Sequence, residues 1–175
     1  MKRLLSYILP AVLLFTTFPV ETVAQYASDR FSFDSDISDI RESIAPDFRY
    51  TYDDWLQYGP AALMVGLKAG GYESRSSWGR MLVSDIFSIG AMAATVNGLK
   101  YTIKRTRPDG SHRNSFPSGH TATAFMSATM LHKEYGWRSP WFSIGGYTAA
   151  AVTGVSRLLN NKHWMTDIAA GAAIG

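Results

Sequence analysis

Three groups of residues in this 175-residue chain carry types and spacings suited to chemistry. His163 and Asp167 are four apart and would share one face of a helix. A carboxylate placed there can hold one imidazole N–H and leave the other nitrogen as a lone-pair nucleophile. A structural hydrogen bond is the simpler reading of that pair in isolation. Arg157 precedes it and can place a planar fork of donors on phosphate oxygens. The second group is Ser115-Phe-Pro117-Ser118-Gly119-His120-Thr121, a turn running into an apolar segment. Unpaired N–H groups at a helix start, together with the helix dipole, form an anion cradle. Gly119 allows close approach of the backbone, and His120 at the mouth can give a proton to a leaving oxygen. A plain capping turn with Ser118 as the cap fits equally well. The third group is Lys100, Lys104, Arg105 and Arg107, cations that want an anion but that also suit the flank of an apolar helix.

Cations, an anion-binding turn with a histidine, and a second histidine backed by a carboxylate are together what phosphoryl transfer through a phosphohistidine requires. The ordered series Lys100, Arg107-Pro108, Pro117-Ser118-Gly119-His120, Ser156-Arg157, His163 and Asp167 resembles the complete tripartite signature of the type 2 phosphatidic acid phosphatase and vanadium haloperoxidase superfamily. The resemblance covers the chain from about residue 51 onward. It implies an all-α helical bundle in which Lys100, Arg107 and Arg157 bind the phosphate oxygens, and Ser118 and the Gly119 backbone complete the cradle. It further implies that His163 attacks phosphorus, that His120 acts as acid and then base, and that Asp167 orients His163. No metal and no cofactor are expected, because fixed cations supply the charge stabilisation, and vanadate is expected as an inhibitor. The sequence also lacks a His-Glu-x-x-His zinc motif, a calcium loop and a phosphate-binding Gly-Lys-Ser/Thr loop.

Long apolar segments rich in small residues must position these groups: roughly 55–70, 81–99, 120–131 and 141–159, with another from Thr166. Ala, Leu and Met are abundant and strict two-residue alternation is missing, so these read as helices. The expected fold class is therefore all-α, a bundle of five or six helices, embedded in or associated with a membrane. Lys68, Asp85, Asn97 and Arg157 interrupt the apolar runs. The sequence stops within the run that begins at Asp167, so a truncated final helix is expected.

Composition supports an apolar helical protein. Hydrophobic residues make up 46% and charged residues 18%, below the roughly 25% charged of an average soluble domain. There is no cysteine, which excludes disulfides, thiolate metal sites and thiol nucleophiles. The 17 basic and 14 acidic residues are too evenly matched for a nucleic-acid binder, and no obligate protein partner is evident. Residues 1–24 read as a signal peptide or anchor, with Lys2 and Arg3 ahead of an apolar stretch and small residues before a cut. Residues 25–50 read as an acidic exposed leader, and residues 51–175 as the helical domain.

The expected activity is a metal-independent phosphatase acting on a lipid phosphate or diphosphate, such as phosphatidic acid, undecaprenyl diphosphate or a lipid A. The expected location is the cell envelope, in the membrane with the site facing the periplasm after export. The alternatives are a soluble broad-specificity acid phosphatase, a vanadium-dependent haloperoxidase, and an inactive membrane scaffold. Head-group choice is expected to depend on the loops Gly70 to Arg80 and Asp109 to Ser115. His112, His132 and Arg113 read as polar surface residues. Asp53 and Asp54, adjacent and thus about 100° apart on a helix, read as an N-terminal cap.

Overall fold

The computed structural model describes residues 33–175, so the segment expected as a signal peptide and the start of the leader lie outside the described residues. The chain divides into two compact units, Met1–Asp36 and Ile37–Gly175. Of the first, only residues 33–36 are described, and they are helical. In the second, residues 37–44 are helical (α1), followed by α2 (Asp53–Leu56), α3 (Gly59–Ala69), α4 (Trp78–Ile103), α5 (Gly119–Tyr135), α6 (Pro140–Leu159) and α7 (Met165–Ile174). No strand occurs among the described residues. The elements α3 to α7 are the expected bundle, while α1 and the one-turn α2 take the number past five or six.

Local chemistry sets the boundaries. Ser77, Ser118 and Ser139 cap α4, α5 and α6, their side chains accepting from the backbone N–H of Arg80, Thr121 and Trp141. Pro60 and Pro140 stand in first turns, where the missing N–H costs nothing. Pro60 also explains why the segment expected over 55–70 splits, since a helix running through it would clash with the preceding turn. At its far end α4 stops at Lys104 and α6 at Asn160–Asn161, where Lys104 and Asn161 take left-handed φ of 48° and 59°.

Helix α5 is central and touches α2, α3, α4, α6 and α7. Ala122, Ala124 and Ala128 on it are fully buried, and such small side chains let the neighbouring backbones approach. Away from the histidine end, Met64, Met81, Met126, Met130, Leu131 and Tyr135 form the main apolar cluster.

Helix α4 behaves differently. Its 26 residues span about 39 Å at 1.5 Å per residue, more than the roughly 30 Å of bilayer hydrocarbon. It is the one helix among the described residues that is long and apolar enough to cross a membrane, and only 6% of its apolar window is buried. A core helix of a water-soluble protein would be mostly buried; this one turns Leu82, Val83, Ile86 and Phe87 outward. Three of its polar side chains are satisfied within the helix. Thr95, Asn97 and Thr102 donate to the carbonyls of Ala91, Ala93 and Gly98 at 2.8, 2.8 and 2.7 Å, which removes their need for water.

Two expectations need correction. The leader expected to be exposed over 25–50 contains a buried anchor. Arg41 is 6% exposed and its Nε and Nη2 donate to the Leu159 carbonyl at 2.9 and 2.8 Å, because a cation satisfies the orphan carbonyls and negative dipole end of α6. Nor does the loop after Gly70 flank the cradle. Lys68 donates to Ser74 and Ser76, and Ser76 N donates to Glu134 Oε2 at 3.0 Å, at the end of α5 opposite His120. Glu134 and His120 are 14 residues apart on this helix, about 21 Å.

Candidate active site

The cradle and the histidine segment are stitched together by backbone and carboxylate. Ser118 N donates to the Asp167 carbonyl at 3.0 Å. The Ser118 hydroxyl accepts from Thr121 N at 3.4 Å and Thr121 Oγ1 at 2.9 Å and is fully buried. Ser118, expected to bind phosphate, is the N-cap of α5. The amides of Gly119 and His120 follow, at the helix end where intrahelical partners are lacking. A Cβ on Gly119 would meet only Val96, at an ordinary 3.9 Å, so packing within the protein does not demand glycine there.

His163 is 2% exposed, in the turn between α6 and α7. Its Nδ1 lies 2.8 Å from the Ser115 carbonyl, which fixes a proton on Nδ1 and leaves Nε2 with the lone pair. Asp167 Oδ2 is 3.7 Å from that same Nδ1, an ion-pair distance longer than a hydrogen bond. The direct orienting acceptor is thus a backbone carbonyl, with Asp167 next to it. Asp167 is tied in turn by the Ser115 hydroxyl, by Arg105 Nη1 at 2.8 Å and by Trp164 N at 3.0 Å. Burial works against its ionisation, but His163, Ser115 and Arg105 hold the carboxyl below its ordinary range. Burial pushes the His163 pKa down and the Arg157 and Lys100 charges press the same way, against Asp167, so the imidazole is kept neutral.

On the other flank, Arg157 Nη1 donates to Asp53 Oδ2 at 2.9 Å. Asp53 is fully buried and also accepts from Ser156 Oγ at 3.1 Å and Asn160 Nδ2 at 3.4 Å. Arg157 Nε is buried with no hydrogen-bond partner, a cost of roughly 1–3 kcal/mol unless an acceptor arrives. An anion oxygen is such an acceptor. His120 Nε2 lies 2.8 Å from Asp54 Oδ1. Asp53, Asp54 and His120 place ligand atoms within 4.8 Å of one another, but Arg157 and His120 pair these carboxylates, and the trio reads as an ion-pair network.

Lys100 Nζ and Arg107 Nε converge on Asn114, donating to its carbonyl at 2.6 Å and its Oδ1 at 3.1 Å. Burial and the charge of Arg157 lower the Arg107 pKa, against Asp109 and Asp167, so these cations sense one another and the histidine segment. In the same loop Asp109 accepts from Lys162 Nζ at 2.8 Å. Its pKa is lowered: burial opposes, but the bonds from Lys162 and Ser111 prevail.

The family model for the PAP2 superfamily matches residues 82–175, which contain every motif of this site. The chain belongs to the PAP2 superfamily. It is 48% identical over 146 residues to a lipid A 1-phosphatase from Porphyromonas gingivalis, a match covering 83% of this chain and 33% of that protein. The chain therefore spans about a third of the length of that curated relative. Among solved structures, a transmembrane PAP2-type phosphatidylglycerolphosphate phosphatase from Bacillus subtilis superposes with a TM-score of 0.60 at 25% identity, over 93% of this chain and 89% of the other. The LpxE of Aquifex aeolicus superposes with a TM-score of 0.57 at 22% identity, over 78% and 87%, a likeness of fold.

Of the residues expected from sequence, the candidate site brings together Gly119, His120, Arg157, His163 and Asp167, with Lys100 and Arg107 at its loop side. Sequence reasoning missed four others. Ser115 was read as part of a turn and Arg105 as part of a cation cluster, yet both fix Asp167. Asp53 and Asp54 were read as a cap, but no side-chain cap bond forms at α2 and their carboxylates reach Arg157 and His120 instead. The signal was available in charge balance, since the arginine buried at the site, Arg157, needs a counterion.

Proposed function

We propose that this chain carries the catalytic domain of a metal-independent membrane phosphatase that hydrolyses a lipid phosphate through a phosphohistidine. The observation that supports it most is His163, buried and held neutral with Nε2 open, beside an arginine whose buried Nε has no partner. In the first step the Nε2 lone pair forms a bond to phosphorus while the phosphorus–oxygen bond to the lipid breaks, and His120 gives its proton to the departing oxygen. Arg157, Arg107, Lys100 and the Gly119 amide balance the charge on the phosphoryl oxygens. In the second step His120, now neutral, takes a proton from water as that water bonds to phosphorus and the nitrogen–phosphorus bond breaks. Inorganic phosphate leaves and both histidines return to their first states.

The outward apolar face of α4 supports a membrane enzyme over a soluble acid phosphatase, and the targeting-like first 24 residues support export and a periplasm-facing site. The relatives that act on lipid A and on phosphatidylglycerolphosphate support a glycerophospholipid or lipid A type of substrate, with lipid A favoured by the 48% identity. The test is phosphate release by detergent-purified protein from a panel of lipid phosphates and one soluble ester, with chelator present and His163→Ala alongside. Chelator-resistant release that is lost in the variant is expected. Equal release by the variant, or dependence on added metal, would overturn the proposal.

A further inference from the structure

His120 sits in an environment that works against its expected role. A general acid must hold a proton at working pH, yet burial first and the Arg157 charge second lower its pKa. The charged groups facing it are Arg157 from α6 and the carboxylates Asp54 and Asp53 from α2. Asp53 is committed to Arg157 Nη1 at 2.9 Å. Asp54 is not: its Oδ1 lies 2.8 Å from His120 Nε2 and 3.9 Å from Arg157 Nη1.

The geometry points to Asp54 as the positioning residue of the general acid, one that keeps a proton on His120 Nε2 and leaves Nδ1 as the nitrogen that gives and takes the catalytic proton. This assignment rests on the phosphohistidine reading of the site and adds a second carboxylate–histidine pair to it. When the phosphorus–oxygen bond breaks, the Nδ1 proton goes to the leaving oxygen, and the Nε2 proton stays between the ring and Asp54. The imidazole is then neutral in one tautomer, with the Nδ1 lone pair facing the incoming water, whose proton it accepts in the second step.

The fold supplies the means to hold Asp54 there. A one-turn helix cannot place a side chain unaided, because it is too short to be stable alone. Asp53 locks α2 onto α6 through Arg157, Ser156 and Asn160. Asn160 also grips Tyr50 through both backbone groups, at 3.0 and 2.6 Å. With α2 fixed this way, the next residue points its carboxylate at the first turn of α5. Two adjacent carboxylates thus divide the work, the buried one fastening the helix and the half-exposed one facing the histidine.

The test compares wild type, Asp54→Asn, Asp54→Glu, His120→Ala and the Asp54→Asn/His120→Ala double variant in the full chain. Turnover of an alkyl phosphate lipid is followed from pH 4.5 to 9.5. The amide keeps the shape but loses the charge, so the basic limb of kcat/KM, where His120 loses its proton, moves down by about one pH unit. The glutamate restores part of that shift. In the His120→Ala background the amide changes neither rate nor profile. An unshifted basic limb in a folded Asp54→Asn protein overturns the assignment, and so does an equal loss of rate with and without His120, which marks a merely structural role. Activity surviving His163→Ala would sink the phosphohistidine reading itself, a different failure from either.

Discussion

Gly171 tests the seam between α5 and α7, which holds the two motifs in register. A Cβ at position 171 would lie 2.5 Å from the Ser118 carbonyl, 3.2 Å from Thr121 Cβ and 3.3 Å from Ala122 N. None of these can step aside cheaply, because the Ser118 carbonyl accepts from Ala122 N at 3.0 Å and the cap bonds pin Thr121. Reaching an ordinary contact of about 3.4 Å requires α7 to retreat by about 0.9 Å. Asp167 lies one turn before Gly171 on α7, so the retreat lengthens the Ser118–Asp167 bond and carries the support of His163 away from the cradle. Gly171→Ala is expected to destabilise by about 1–3 kcal/mol, as overpacking does, and to lower Tm by several degrees. A displacement near 1 Å costs on the order of a hundredfold in rate, or about 2.7 kcal/mol of transition-state stabilisation. Phosphate release in detergent, read beside a thermal melt, measures both. Gly90→Ala is the control, since a Cβ there meets nothing within 4 Å, and it should be silent. A folded Gly171→Ala protein with wild-type kcat/KM would refute the claim that this seam sets the catalytic geometry.

Other perturbations follow from the same contacts. Asp53→Ala leaves Arg157 buried without its partner and should cost about 3–5 kcal/mol, seen as a far larger fall in Tm than Asp54→Asn; equal falls would contradict the division of roles. The acid limb of the rate profile should lie below pH 6.5, because the lowered pKa of His163 keeps its lone pair free until more acid is present, and a limb above that value would mean the nucleophile is not held neutral. Arg105→Ala removes one tie on Asp167 and should reduce kcat with little change in KM, whereas a change confined to KM would assign Arg105 to binding. Phe87→Lys should expel α4 from a bilayer, at about 2.5–3.5 kcal/mol for a charge near mid-depth, and fractionation would show the loss. Unchanged recovery in membranes would contradict a spanning role for α4.

Much of the site was legible because its chemistry lies in three short runs. The spacing of His163 and Asp167, the Pro117-Ser118-Gly119-His120 turn and Arg157 were enough to anticipate which residues gather, and the small-residue apolar segments were enough for the helices. What stayed hidden depends on distant partners. Nothing local in Asp53-Asp54 tells that one carboxylate meets Arg157, 104 residues away, or that the other meets His120. A four-residue spacing suggested a direct His163–Asp167 bond, but the Ser115 carbonyl, placed by the fold, takes that position. The sequence does not separate a capping role of Ser118 from an anion-binding one, because both use the same residue types at the same helix end. The loop after Gly70 was put at the wrong end because element order alone does not tell which end of a helical bundle a connection closes.

The central claim is that a bond forms between phosphorus and His163 Nε2, and the most direct measurement is acid-labile, base-stable labelling. Protein turning over a lipid substrate labelled at the phosphate is quenched in alkali within milliseconds, digested, and the modified peptide read by mass spectrometry. The account predicts a phosphoryl group on the peptide containing His163, absent in His163→Ala and accumulating in His120→Ala when the substrate has a leaving group good enough to depart unaided. Label on another residue, or turnover with no trapped label in either protein, would contradict it.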